Sequence, residues 1–251
     1  MGLQTLDRAV AVLRLLGEHE AGVRLTDVQA SLGLSKPTAH RLLSALVSHG
    51  LASQDPATRR YALGPAIASL QAGRPQVGVD LARVAMLPVY RLAEESQDTV
   101  FLVGRDQLDT VCLARESGSY PIRAITVEVG TRRPLGVGAG GISILGSLQP
   151  AEAERIVASL SRRLAAQSRS SAEQVLRGSE QARRQGYSLS DEQVAKGVRG
   201  VGVSVRDSSG APIAAIGIAA ISERLTPSRI PRIVEMLVRE RAVIEAELDR
   251  V

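Results

Sequence analysis

The stretch from Leu25 to Leu43, LTDVQASLGLSKPTAHRLL, leaves this chain few choices. Two segments with helical spacing flank a four-residue turn centred on Gly33, which supplies positive φ at no steric cost. Thr26 is expected to cap the first helix, which runs to Ala30. Ser35 is expected to cap the second, with Pro37 in its first turn, where a missing N–H costs nothing. Leu42, Leu43, Leu46 and Val47 give that second helix an apolar face, and Gly50 ends it. Upstream, Leu6, Val10, Leu13 and Leu16 predict a helix over 5–18 with Thr5 at its cap. Downstream, extended stretches at 51–54 and 60–63 are joined by Asp55-Pro56-Ala57-Thr58, a hairpin that reads as a wing.

From Ser35 to Ser48 there is no acidic residue, and the outward face carries Lys36, Thr38, His40, Arg41 and Ser44. Such a face suits a polyanionic groove, and the positive helix N-terminus adds to the attraction. Arg59 and Arg60 sit on the wing, where they would meet backbone phosphate or minor groove. The expected DNA contacts are therefore Thr26, Ser35, Lys36, Pro37, Thr38, His40, Arg41, Ser44, Arg59 and Arg60. The same geometry also occurs in protein-interaction domains with a solvated polar face, so a metabolite-binding or enzymatic domain with a protein-engaging helical head is the alternative.

At 251 residues the chain is long enough for two domains, and the breakers in Gln71-Ala72-Gly73-Arg74-Pro75-Gln76 mark the boundary. The expected division is a winged helix-turn-helix at 1–74, a linker helix at 75–97 that braces the two halves, and a larger domain at 98–251. Arg8, Arg14, Arg24, Lys36, Arg41, Arg59, Arg60 and Arg74 face Asp7, Glu18, Glu20, Asp27 and Asp55 in the first part, so it holds +3 of the net +5. Nearly all the cations are arginine, which favours forked oxyanion partners. In the larger domain, apolar runs at 99–104, 110–114, 122–129, 198–206 and 212–221 read as strands. Helical patterns fall at 138–148, 151–160 and 172–185, and Thr226 is placed to cap a final helix to Asp249. Hairpin strands with helices grouped between them indicate an α+β fold around an antiparallel sheet.

All three histidines, His19, His40 and His49, lie in the first fifty residues, which removes a histidine base or ligand from the large domain. Carboxylates such as Glu94, Glu95, Asp98, Asp191 and Glu192 read as a solvated face rather than acid–base pairs. The single Cys112, in an apolar strand pattern, reads as a buried thiol and excludes an internal disulfide. No catalytic residue, metal or cofactor is expected. No secretory pattern opens the chain, and the longest nearly apolar run, 211–221, is too short for a bilayer, so a cytoplasmic protein with no membrane partner is expected. Gly136-Val137-Gly138-Ala139-Gly140-Gly141 satisfies G-x-G-x-x-G, but Arg132-Arg133-Pro134 separates it from the preceding strand and Pro150 interrupts the helix after it. These glycines are read as the entry to a helix whose N–H groups line a pocket, or as a close-packing device. A nucleotide-dependent regulator stays open as a further alternative.

The chain resembles the IclR-type family of bacterial transcription regulators over nearly its whole length. The resemblance is carried by Thr5-Leu6-Asp7-Arg8-Ala9-Val10-Ala11-Val12-Leu13, by Gly33 to Leu43, and by Arg60-Tyr61-Ala62-Leu63-Gly64. Gly186-Tyr187-Ser188, Gly197-Val198-Arg199-Gly200 and Leu225-Thr226-Pro227 complete it. It implies a winged helix-turn-helix, a linker helix and a GAF-like effector-binding domain, in dimers that often pair into tetramers. It also implies a double-stranded operator and a small-molecule effector as partners. The implied effector site falls on Ile125, Arg133, Val137, Gly138, Ala139, Gly140, Gly141, Ser190, Asp191, Gly200, Gly217 and Ala219. Positions that are polar in acid-binding relatives are here Ser190, Gly200, Gly217 and Ala219, with Asp191 as a partial substitute. That change suggests an aromatic or alicyclic acid instead of a small keto acid, with Arg133 as its carboxylate partner.

Overall fold

The computed structural model describes residues 4–19, 21–67 and 77–250. It divides into two compact units, Met1–Gln76 and Val77–Val251. Segment 71–76, where the sequence places the boundary, lies outside the described residues.

The first unit contains helices α1 (Gln4–Gly17), α2 (Leu25–Leu32) and α3 (Lys36–Ser48) and strands β1 (Ala52–Gln54) and β2 (Tyr61–Leu63). The strands pair antiparallel, with Ala52 opposite Leu63 and Gln54 opposite Tyr61, and Val23 bridges to Tyr61 on the other side. Val12, Leu16, Val23, Val28, Ala39, Leu43, Leu46, Ala52 and Tyr61 form the core, so each element contributes apolar side chains to one centre. Gly33 takes the left-handed conformation at φ 60° and returns its N–H to the Gln29 carbonyl, which lets the chain reverse into α3. The caps differ from expectation. Thr5 lies inside α1, and Thr26 lies inside α2, where Arg24 holds the cap position. The capping group there is the Asp27 carboxylate, which accepts the Arg24 N–H at 3.1 Å. Ser35 does cap α3 by position, but its hydroxyl bonds that of Thr38 at 2.9 Å instead of a backbone N–H.

In the second unit, α4 (Val77–Ser96) leads into β3 (Thr99–Asp106), β4 (Asp109–Ser117) and β5 (Arg132–Pro134). Helices α5 (Gly138–Ser147), α6 (Pro150–Gln167) and α7 (Ala172–Gln185) follow, then β6 (Ser188–Asp191), β7 (Val198–Arg206), β8 (Pro212–Ile221) and α8 (Ile230–Leu248). The strands form an antiparallel sheet in the order β5-β4-β3-β8-β7-β6. One face is covered by α4 and α8: Leu81, Ala85, Val89 and Leu92 of α4 and Ile233, Leu237 and Ile244 of α8 bury Leu102, Val203 and Ile216. Helix α4 is thus a layer of this unit, with its apolar residues at helical spacing in the core. On the opposite face, Ile144 and Leu145 of α5 join Val157, Leu160 and Leu164 of α6 and Val175 of α7. Among the described residues no helix is long and apolar enough to cross a membrane.

Residues 122–129, expected as a strand, are irregular. The outer edge of β4 is taken by the short β5, with Thr110 opposite Arg133. The earlier apolar stretch is left without a ladder, and Ile122, Ile125 and Val129 remain exposed. Both β5 and β6 are too short to show in apolar patterning. Helix α8 begins at Ile230, not at Thr226, whose carbonyl instead accepts the Arg229 and Ile230 N–H groups in the preceding turn.

Candidate nucleic-acid interface and candidate ligand cavity

Burying Ala39, Leu43 and Leu46 turns the other side of α3 to solvent. Lys36, Pro37, His40, Arg41 and Ser44 are exposed there, as are Ser35 and Thr26, while Thr38 is half-buried with its hydroxyl on Ser35. A concavity of about 690 Å³ is bordered by Thr26 of α2, His40 and Ser44 of α3 and Arg59 beyond the hairpin turn. Arg24 and Gln54 border it too, and neither stood out in the sequence. Arg24 is recognisable in retrospect as a cation at the entry of α2, whereas Gln54 enters only through strand pairing. Arg59 is a non-glycine residue at φ 59°, an uncommon conformation that orients the end of the hairpin. Arg60 behaves differently: its Nη1 donates to the Gly22 carbonyl at 2.7 Å, so part of this guanidinium ties the wing to the body.

The second unit contains a cavity of about 90 Å³ between the α5 amino terminus and the sheet. Ten of the expected effector residues line it: Arg133, Val137, Gly138, Ala139, Gly140, Gly141, Ser190, Gly200, Gly217 and Ala219. Two do not. Ile125 is exposed on the irregular segment, its neighbours Thr126 and Val127 lining the cavity instead. Asp191 is not among the lining residues; its carboxylate is paired with Arg199, which does line the cavity and whose Nε donates to Oδ1 at 2.6 Å. Phe101, Val103 and Ile218 contribute lining from β3 and β8, and Thr110 and Cys112 from β4. Phe101 is the chain's sole phenylalanine, and alternation along β3 would have placed it on this face once the sheet order was known. Burial pushes the Cys112 thiol up to about 11, which keeps it protonated and unreactive near neutrality.

The glycines have divided duties. Gly136 and Gly138 adopt φ values of 103° and 75° and form the tight entry to α5. Gly202 on β7 allows that first turn to lie against the sheet, because a β-carbon there would stand 2.9 Å from the Ala139 carbonyl carbon. Arg132–Pro134, read in the sequence as a separator, is itself the edge strand β5, antiparallel to β4. The parallel strand–helix–strand unit of a dinucleotide site is therefore absent among the described residues.

Gln193 braces the entry to α5. Its side chain is buried, its Oε1 accepts the Gly138 N–H at 2.7 Å, and its Nε2 donates to the Gly136 carbonyl at 2.8 Å. Ser190 adds a hydrogen bond to the same Oε1 at 3.3 Å. The first amide of α5 is thus already engaged by an uncharged group, and the helix's positive end stays unneutralised. At the rim, the half-buried Arg133 donates from Nη2 to the Thr126 carbonyl at 2.5 Å. Burial lowers its pKa from the ordinary guanidinium value, and no carboxylate of the described residues forms an ion pair with it. The cavity thus combines apolar walls with uncompensated positive charge.

Two family models match the chain: the IclR helix-turn-helix domain over residues 5–56 and the bacterial transcriptional regulator IclR C-terminal domain over 76–243. A glycerol operon regulatory protein of Streptomyces coelicolor is 32% identical over 230 residues, covering 89% of this chain and 87% of its own. The HTH-type transcriptional regulator XynR of Escherichia coli is 27% identical over 237 residues, covering 94% of this chain and 93% of its own. Among solved structures, an IclR homologue of Microbacterium hydrocarbonoxydans complexed with 4-hydroxybenzoate has a TM-score of 0.75 at 22% identity. It covers 98% of this chain and all of its own.

Proposed function

Because the chain belongs to the IclR family of bacterial transcriptional regulators, DNA-binding proteins with a ligand-binding C-terminal domain, we propose that this one answers to a ring-bearing carboxylic acid seated between Arg133 and α5. The observation that carries the reading is Arg133: a half-buried cation at a mostly apolar cavity, with no carboxylate beside it among the described residues. An anion with an apolar body supplies both missing halves, since its carboxylate takes the guanidinium fork and its ring covers Phe101, Val103 and Ile218. The 4-hydroxybenzoate complex of the Microbacterium homologue supports the class of ligand. In a titration followed by melting temperature, benzoate, 4-hydroxybenzoate and cyclohexanecarboxylate should stabilise the protein while pyruvate and glyoxylate do not. Stabilisation by the short acids alone would overturn the reading.

On the operator, a symmetric pair of chains would set two α3 helices into successive major grooves, with Lys36, His40 and Arg41 reading bases and Arg59 contacting backbone. Effector binding would act by favouring one arrangement of the two heads over another. Arg41→Ala is expected to cost about 1–3 kcal/mol on the preferred site and to relax its base preference. Arg59→Ala should weaken binding across sequences and reduce the salt slope by about 1, and Arg60→Ala should change it less, because Arg60 is shared with Gly22. A gel-shift titration over a range of salt concentrations reads all three. Equal loss on specific and random DNA for Arg41→Ala would remove it from base reading.

A further inference from the structure

Beyond the ligand cavity, the second unit holds a polar cleft of about 280 Å³ at the other end of α5. It is bordered by Ser147 of α5, Arg183 of α7, Ser204 and Arg206 of β7, and Arg241 of α8. Three elements thus aim arginines at one cleft. Among the described residues the only carboxylate on them is Glu245: its Oε2 lies 3.8 Å from Arg241 Nε, and its Oε1 is occupied by the Arg206 backbone N–H at 2.9 Å. The Arg183 and Arg206 guanidinia have carbonyl acceptors, Leu148 at 3.1 Å and Gly210 at 3.0 Å, but no ion pair among the described residues. Arg241 Nε is buried with no hydrogen-bond acceptor, an unmet donor inside the cleft wall.

Of the hydroxyls lining the cleft, those of Ser147 and Ser204 are already committed. Ser147 donates to the Ser143 carbonyl at 3.0 Å, so in its 2.6 Å contact with Ser204 it must be the acceptor and Ser204 the donor. The guanidinium N–H groups are the charged donors offered to a ligand, beside the Tyr187 hydroxyl and the Gln149 amide, and three arginines against one shared carboxylate leave about two positive charges without partners. Forked guanidinia match tetrahedral oxyanions, and the lining is mostly polar, with Leu148, Pro150 and Tyr187 as its larger apolar members.

The geometry points to this cleft as a second ligand site, selective for a phosphate group, separate from the cavity at the opposite end of α5. The ligand class is a phosphate dianion, free or on a small phosphorylated metabolite, and binding is held by Arg183, Arg206 and Arg241.

Inorganic phosphate and a sugar phosphate would be titrated against the full-length protein by calorimetry, with melts at matched ionic strength. Sodium phosphate at ten times its dissociation constant should raise the melting temperature by roughly 3–5 °C. Arg183→Gln with Arg206→Gln should weaken binding at least ten-fold and abolish the rise, while Arg184→Gln, an exposed neighbour, leaves both unchanged. Because phosphate also stabilises proteins by exclusion from their surfaces, the comparison is between wild type and the double variant under identical salt. A larger response to the sugar phosphate than to phosphate identifies the esterified form as the ligand, and equal responses identify the free ion. Equal responses of wild type and double variant to both would overturn the proposal. Arg133→Met should retain the phosphate response, so failure of the effector reading does not carry this one with it.

Discussion

Arg133→Met is expected to weaken capture of a ring-bearing acid by about 100-fold, roughly 2.7 kcal/mol, while leaving the fold at least as stable as before. The affinity falls because charge-assisted, forked hydrogen bonds to a carboxylate are lost from a site shielded from water. Stability does not fall with it. The guanidinium is half-buried, burial already works against its charged form, and no carboxylate of the described residues compensates it. Replacing such a cation by an apolar side chain of similar reach removes a desolvation cost and gives up the bond to the Thr126 carbonyl. Calorimetric titration with 4-hydroxybenzoate beside a melt without ligand separates the two effects. Binding within three-fold of wild type would show that the carboxylate sits elsewhere, and a collapsed melt would show that Arg133 is structural.

Gly202→Ala is expected to destabilise the second unit by about 3 kcal/mol and to disable the cavity, although only a methyl group is added. Its β-carbon would lie 2.9 Å from the Ala139 carbonyl carbon, 3.0 Å from that oxygen and 3.1 Å from the Gly140 nitrogen. These are backbone atoms with no rotamer to adopt. Ser188 fixes the same place, its hydroxyl hydrogen-bonding the Ala139 carbonyl at 2.6 Å and the Gly202 carbonyl at 3.2 Å. The first turn of α5 would have to lift from β7, carrying Gly138 and Gly140 away from the ligand. Gly178→Ala on α7 is the matched control: its β-carbon would find only Ile142 methyls at 3.6 Å and beyond, so helix propensity should win and stabilise by up to about 1 kcal/mol. If denaturant melts of the two variants coincide, close approach of α5 to the sheet is not what Gly202 provides.

Local signals were legible and long-range ones were not. Gly33 announced the turn between α2 and α3 because the left-handed conformation is a property of one residue, and β7 and β8 began and ended where their apolar runs did. Residues 122–129 have the same local character as those strands, yet a strand also needs an unoccupied neighbour, and three residues of β5 had taken it. No periodicity reveals that competition. The cavity divides along the same line. The glycine run and Arg133 could be named from the chain, whereas Gln193 reaches its partners from 55 and 57 residues away and has no local signature. Asp191 shows the converse failure, since an acid beside the site was spent on Arg199.

The amide of Gln193 gives the cavity an evolutionary hinge. Glutamine and glutamate codons differ at a single base, and the two side chains share one shape. A glutamate here would still accept the Gly138 N–H, would lose the donor to Gly136, and would set a negative charge at the α5 entry, next to the cavity in which the proposed acid would bind. One nucleotide therefore stands between an α5 entry that would favour the proposed anion and one that would repel it. A lineage could exchange the chemistry it senses without rebuilding the sheet, the helix or the head.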